Sequence, residues 1–237
     1  MKKLALILAL FCGPVTYGQE HYAMFNGDAW PSQEALNKFA DLCGTPHWDA
    51  RAGFHMNPDV FRDVEIAAKE IRTARENWDN RRVFIVPANS QDINSWTRNY
   101  ASAGSVICLP EGMRNLLADS PRELEAVIAH EMGHALDIEC YNFAQRSKQG
   151  QRSCESRADA FALKVLLKAH GNLYAMAGMF GRLEMYYGQT RTNFLEKLTN
   201  VISGDHPITP DRIDNVRKWL THYSQTGDAN FFPPALP

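Results

Sequence analysis

The chain has 237 residues, room for one compact domain with a small appendage. It is 45% hydrophobic and 22% charged, the composition of a folded globular protein, which excludes disordered and collagen-like classes. The formal net charge is −2, so no strongly basic surface is expected and nucleic acid is excluded as the expected partner.

Lys2 and Lys3 precede an apolar run from Leu4 to Phe11 that fades towards Val15. Thr16-Tyr17-Gly18 then puts small residues three and one positions before Gln19. This pattern predicts a secretory signal peptide over 1–18. A transmembrane anchor needs about 18–20 apolar residues, and this run is much shorter. A lipoprotein cut before Cys12 is the alternative; bulky Phe11 stands where a small residue belongs. The expected location is outside the cytoplasm, in the periplasm or beyond the cell. Cys43, Cys108, Cys140 and Cys154 follow the cut. An even number in an exported chain points to two disulfides, and the expected pairs are Cys140 with Cys154 and Cys43 with Cys108. The shorter loop, of about 15 residues, would contribute roughly 3 kcal/mol in the chain-entropy model. A thiolate zinc site is the rival reading, weakened by the lack of any Cys-x-x-Cys pair.

No internal repeat or low-complexity run interrupts the chain. Residues 19–57 read as an irregular segment around a short helix near Ser32–Leu42. Asn57-Pro58 opens a helix in which Val60, Phe61, Val64, Ala67, Ala68, Ile71, Ala74 and Trp78 recur at helical spacing. Val83-Phe84-Ile85-Val86 predicts a buried strand stopped by Pro87. Ile93–Thr97 reads as a second, edge-like strand, and Ser105–Leu109 as a third, ended by Pro110. Glu111–Ala118 suggests a short helix. Ser120-Pro121-Arg122-Glu123 has an N-cap, a proline at the first helical position and a capping-box acid, so it predicts a strong helix start. Leu124, Val127, Ile128 and Ala135 give that helix its apolar face. A polar loop over 142–153 leads to a long helix from Cys154 to His170. Further helices are expected over 172–187 and 192–202. Thr209-Pro210 starts a last helix that buries Ile213, Val216, Trp219 and Leu220, and an extended tail follows at 230–234.

His130 and His134 lie four apart on the predicted helix and share one face, where two imidazoles can reach one zinc ion. Glu131, beside the first histidine, is placed to act as general base on an attacking water. A chance match is the competing explanation, and the well-capped helix around the motif argues against it. A catalytic zinc uses three protein ligands and keeps one position open. A third histidine at 140 after a glycine at 137 would mark a metzincin; this chain has Asp137 and Cys140. The best third ligand is Glu155. Asp159, one turn on, can hydrogen-bond a ligand histidine and fix its tautomer. The bland alternative makes Glu155 and Asp159 a solvated helix face paired with Arg152 or Arg157, since acids near helix starts are common.

Leu124 to His134 resembles the active-site helix of the M48 (Ste24/HtpX-like) metallopeptidases. Glu155-Ser156-Arg157-Ala158-Asp159-Ala160-Phe161-Ala162 resembles the family's second ligand-bearing helix, and His206-Pro207 followed by Arg212-Ile213 its His-Pro…Arg segment. The likeness spans roughly 58–220, with three motifs in order. It implies an α+β, mainly α-helical, gluzincin-type fold: an active-site helix, a second ligand-bearing helix and a small β-sheet. It also implies one Zn2+ per chain and protein or peptide substrates. By the same resemblance His206 and Arg212 stabilise the oxyanion or contact substrate, or His206 closes the open zinc position as a latch. The structural alternative makes His206-Pro207 a loop corner and Arg212 an ion pair with Asp211 or Asp214. Two departures stand out. Membrane-spanning members carry transmembrane helices, which this chain lacks beyond its signal, so it resembles the soluble, exported branch. The stretch from Cys140 to Cys154 matches no family pattern.

The expected organisation is a signal peptide at 1–18, an N-terminal segment at 19–57, a metallopeptidase domain at 58–222 and a tail at 223–237. The expected activity is zinc-dependent endopeptidase hydrolysis of exported or envelope proteins, in proteolysis or quality control, with Ile93–Thr97 lying along the substrate and Trp96 affecting KM more than folding. A latent, zinc-binding, chaperone-like module is the first alternative, and a metal-free structural protein the second. A serine hydrolase lacks its Gly-x-Ser-x-Gly elbow, and a cysteine hydrolase is disfavoured because the cysteines read as disulfide partners. Peripheral association with a membrane and the oligomeric state stay open.

Overall fold

The computed structural model describes residues 22–24, 32–44, most of 63–71, 83–100, 104–137, 147–171, 173–189 and 210–229. The expected signal peptide, the helix start at Asn57-Pro58, the helix at 192–202, Cys140, His206 and the tail at 230–234 lie outside these residues.

Four strands form one sheet: β1 (Tyr22–Met24), β2 (Val83–Ala88), β3 (Trp96–Tyr100) and β4 (Gly104–Pro110), in the order β1-β2-β4-β3. The central pair β2 and β4 is parallel, with Ile85 opposite Ile107. The outer strands run antiparallel to their neighbours. Side chains alternate between two cores. Val83, Ile85, Ile107 and Leu109 face one; Phe84, Val86, Val106 and Cys108 face the other. Burial on both faces explains why β2 and β4 read as unbroken apolar runs.

The second face is covered by α1 (Gln33–Leu42), whose N-cap Ser32 accepts a hydrogen bond from the Ala35 amide. Phe39 packs on Phe84 with ring centroids 4.8 Å apart. The expected Cys43–Cys108 disulfide ties the end of this helix to β4. Cys154 is also disulfide-bonded; its expected partner, Cys140, is not among the described residues.

The first face carries the helices. They are α2 (Glu111–Leu116), α3 (Pro121–Leu136), α4 (Lys148–His170), α5 (Tyr174–Gln189) and α6 (Pro210–Thr226). Helical residues within 63–71 add Val64, Ala67 and Ala68 to the same core. The protein is thus an α+β fold, mainly helical with one small sheet. Every residue of α3 from Glu125 to Leu136 is buried, so α3 is the central helix. A one-sided apolar face was expected of it; the sheet, α4 and α5 enclose it instead. Among the described residues no helix is long and apolar enough to cross a membrane.

Local details depart from the sequence reading for physical reasons. β2 continues through Pro87 to Ala88. Among the described residues β1 pairs with β2 only as far as Ile85, so that edge is unpaired beside the proline. β3 begins at Trp96 instead of Ile93. Ser90 bonds Asp92, Gln91 bonds Glu111, and Ile93 turns into the core, so the chain straightens only after Ser95. The expected capping box at Ser120 does not form. Arg182 on α5 takes both side chains, donating to Ser120 Oγ at 2.7 Å and pairing with Glu123 at 2.5 Å. The long helix α4 starts at Lys148, not Cys154, because Ser147 caps it by accepting from the Gly150 amide. It ends at Gly171, whose left-handed φ of +62° suits glycine.

Candidate metal centre

Two helices build the centre. Gly133 lets them meet: a Cβ at this position would lie 2.8 Å from the Ala158 Cα, inside contact distance. The backbones of α3 and α4 therefore pack closely where the polar side chains converge.

His130 and His134 project from α3 with their Nε2 atoms 3.1 Å apart. Glu155 on α4 places one carboxylate oxygen 3.4 Å from His130 Nε2 and the other 3.3 Å from His134 Nε2. All three residues are buried. Bonds of about 2.0–2.2 Å to a tetrahedral zinc put ligand atoms roughly 3.3–3.6 Å apart. The observed separations, 3.1–3.4 Å, lie at or just below the short end of that range. The donors, two imidazoles and one carboxylate, are those zinc accepts. The His130, His134 and Glu155 group can therefore hold one metal ion.

Around this trio the polar groups are paired. His130 Nδ1 lies 2.8 Å from Asp159 Oδ1, which turns Nε2 towards His134 and Glu155. Arg212, reaching in from α6, donates Nε to Asp159 Oδ2 at 2.9 Å and Nη2 to Oδ1 at 2.7 Å. Its Nη1 pairs with Glu155 at 2.7 Å, and its guanidinium stands 5.2 Å from the Phe180 ring centroid. Burial is the strongest single influence on Asp159 and disfavours its ionised form, yet the Arg212 charge and the hydrogen bonds from Arg212 and His130 together outweigh it and hold the carboxyl below its ordinary range. Burial likewise opposes the imidazolium of His130. Hydrogen bonds with Asp159 and Glu155 prevail and push it up to about 9. Burial also disfavours the Arg212 charge, and Asp159 and Glu155 more than offset it.

Glu131 is buried beside His130. Thr97 on β3 donates its hydroxyl to Glu131 Oε2 at 2.7 Å and also lies 3.0 Å from the Glu131 carbonyl oxygen. Trp96, by contrast, turns to the α1 face and reaches the Leu42 carbonyl at 3.5 Å.

The fold thus gathers His130, Glu131, His134, Glu155, Asp159 and Arg212, all expected at the site, into one buried cluster. Glu155 lies about two turns inside α4, not at its start, so the helix dipole does not account for an acid there. Glu155 and Asp159 are buried and pair with Arg212, while Arg157 pairs with Asp137 and Arg217 with Asp214. His206 is not among the described residues. The sequence reading missed Thr97 against Glu131 and the grip of Arg212 on two carboxylates. The only signal for the latter was an arginine on the inner side of an amphipathic helix, one residue before Ile213.

The family model for peptidase family M48 matches residues 55–145 and 141–220, more than half of the chain. No curated protein matches it.

Proposed function

The chain belongs to peptidase family M48, a metallopeptidase family, and from that premise we propose a zinc-dependent endopeptidase acting on exported or envelope proteins. The observation that carries this reading is the convergence of His130, His134 and Glu155, with ligand atoms 3.1–3.4 Å apart, and the buried Glu131 next to His130 on the same helix.

His130, His134 and Glu155 would hold the zinc. Bound there, zinc supplies a Lewis acid that polarises the scissile carbonyl and makes water more acidic. Glu131 accepts a proton from the attacking water and returns it to the leaving amine. Asp159 fixes the His130 tautomer by accepting from Nδ1. Arg212 holds Asp159 and Glu155 in place, and we assign it this positioning role in preference to substrate contact. For His206, six residues earlier, resemblance alone offers two roles, at the oxyanion or substrate, or as a latch on the open zinc position. Among the described residues β3 is an outer strand of the sheet and passes Glu131 at Thr97, so its edge suits an extended peptide that pairs along it.

Export is supported by the Lys2-Lys3 and Leu4–Phe11 pattern and by the disulfide, which persists in oxidising compartments. The expected test result is loss of casein cleavage when metal is removed with a chelator, and its return with one equivalent of zinc. Cleavage that survives complete metal removal would refute the reading.

A further inference from the structure

Alternation along β3 sends neighbouring side chains to opposite faces of the sheet. Trp96, opposite Cys108, enters the core beneath α1. Thr97, opposite Ile107, faces α3, because Ile107 belongs to the core on that side. Pairing with β4 therefore fixes both the height and the direction of the Thr97 hydroxyl. β-branched residues are common in strands for packing reasons alone, and packing would be served equally by valine. The hydroxyl, however, meets the general base proposed above. It stands 2.7 Å from Glu131 Oε2 and 3.0 Å from the Glu131 carbonyl oxygen. One hydroxyl proton serves one acceptor at a time, and the shorter contact to the ionisable oxygen is the stronger.

We infer that Thr97 is a positioning residue that holds the Glu131 carboxylate in working orientation. The inference rests on the peptidase reading and deepens it. A buried glutamate has two rotatable bonds beyond Cβ, and one charge-assisted hydrogen bond removes much of that freedom. The strand that carries Thr97 is also an outer strand of the sheet among the described residues. A peptide paired along β3 would steady the same backbone that aims Thr97 at Glu131. Substrate docking and alignment of the base would then share one element.

The test compares the parent, Thr97→Val and Thr97→Ser as full-length, zinc-loaded proteins. Turnover of dye-labelled casein should fall roughly tenfold to a hundredfold in kcat for Thr97→Val, the range for losing a hydrogen bond to a charged group. KM should stay within about twofold, and Thr97→Ser should recover most of the loss. Unchanged kcat in Thr97→Val, a loss confined to KM, or a loss that serine does not restore would overturn the assignment. Acetohydroxamate binding by calorimetry gives a second readout, because a chelating hydroxamate passes a proton to a neighbouring carboxylate. Its affinity should weaken about tenfold in Thr97→Val and recover in Thr97→Ser. A parent that binds acetohydroxamate without cleaving casein would sink the peptidase reading. Equal affinities across the three proteins would then sink the role of Thr97 separately.

Discussion

Arg212 on α6 grips Asp159 on α4 through two hydrogen bonds of 2.9 and 2.7 Å, and Asp159 in turn holds His130 Nδ1 at 2.8 Å. A residue more than fifty positions downstream thereby sets the orientation of a metal ligand. Arg212→Lys keeps the charge and loses the planar fork. Zinc affinity, measured by competition with a chromophoric chelator, should weaken about tenfold to a hundredfold. Lysine that binds zinc as tightly as arginine would show that the fork is dispensable.

Protons and zinc compete for His130. Its folded-state value is raised to about 9 by Asp159 and Glu155. In metal-stripped protein, a raised value contributes stability that is fully present below the unfolded value of about 6.5 and is lost as pH rises through about 9. Zinc binding has the opposite sign, because the ligand must be deprotonated. The zinc dissociation constant should therefore rise about tenfold for each unit of pH lost between 9 and 6. Titrations at several pH values check this, and a flat profile would contradict it.

Gly133 sets the spacing of the two ligand-bearing helices, since its missing Cβ would meet the Ala158 backbone at 2.8 Å. Gly133→Ala adds one methyl to a contact that cannot yield without moving a helix. A loss of about 1–3 kcal/mol is expected from chemical denaturation. Zinc affinity should fall with it, because Glu155 moves away from the histidines. A gain in stability, as expected of Gly→Ala on an open helix face, would contradict this packing.

The Cys43–Cys108 bridge closes a loop with a sequence separation of 65 and joins α1 to the strand beside β3. Replacing both cysteines with alanine should lower stability by about 2–4 kcal/mol. Zinc stoichiometry should remain unchanged, because no ligand lies on α1.

Trp96 is partly buried and packs against the core beneath α1. Trp96→Ala should lower the melting temperature and leave KM for casein nearly unchanged. A raised KM at unchanged stability would move this residue into the substrate path.

Much of this architecture is legible in the sequence because local chemistry and tertiary packing agree. The short apolar, β-branched runs Val83–Val86 and Ser105–Leu109, each followed by a proline, specify buried strands. The spacing of His130 and His134 specifies a shared helix face, and Glu155 and Asp159 one turn apart specify a second. What escapes the sequence depends on partners far along the chain. Ser120 and Glu123 have capping-box identities, yet Arg182 claims both. Ser147 looks like one polar residue among many, but as a cap it moves the start of α4 six residues upstream. Arg212 has two nearby acids, Asp211 and Asp214, but pairs with two on another helix. Thr97 reads as a strand former, and only its opposition to Ile107 reveals that it faces Glu131.

The central claim is that His130, His134 and Glu155 hold zinc for a reaction in which Glu131 moves the proton. Zinc content and casein cleavage of the oxidised parent, measured beside Glu131→Gln, test it most directly. The account predicts one zinc per chain in both proteins and cleavage by the parent alone. Zinc-free protein after purification without chelators, or full cleavage by Glu131→Gln, would contradict it.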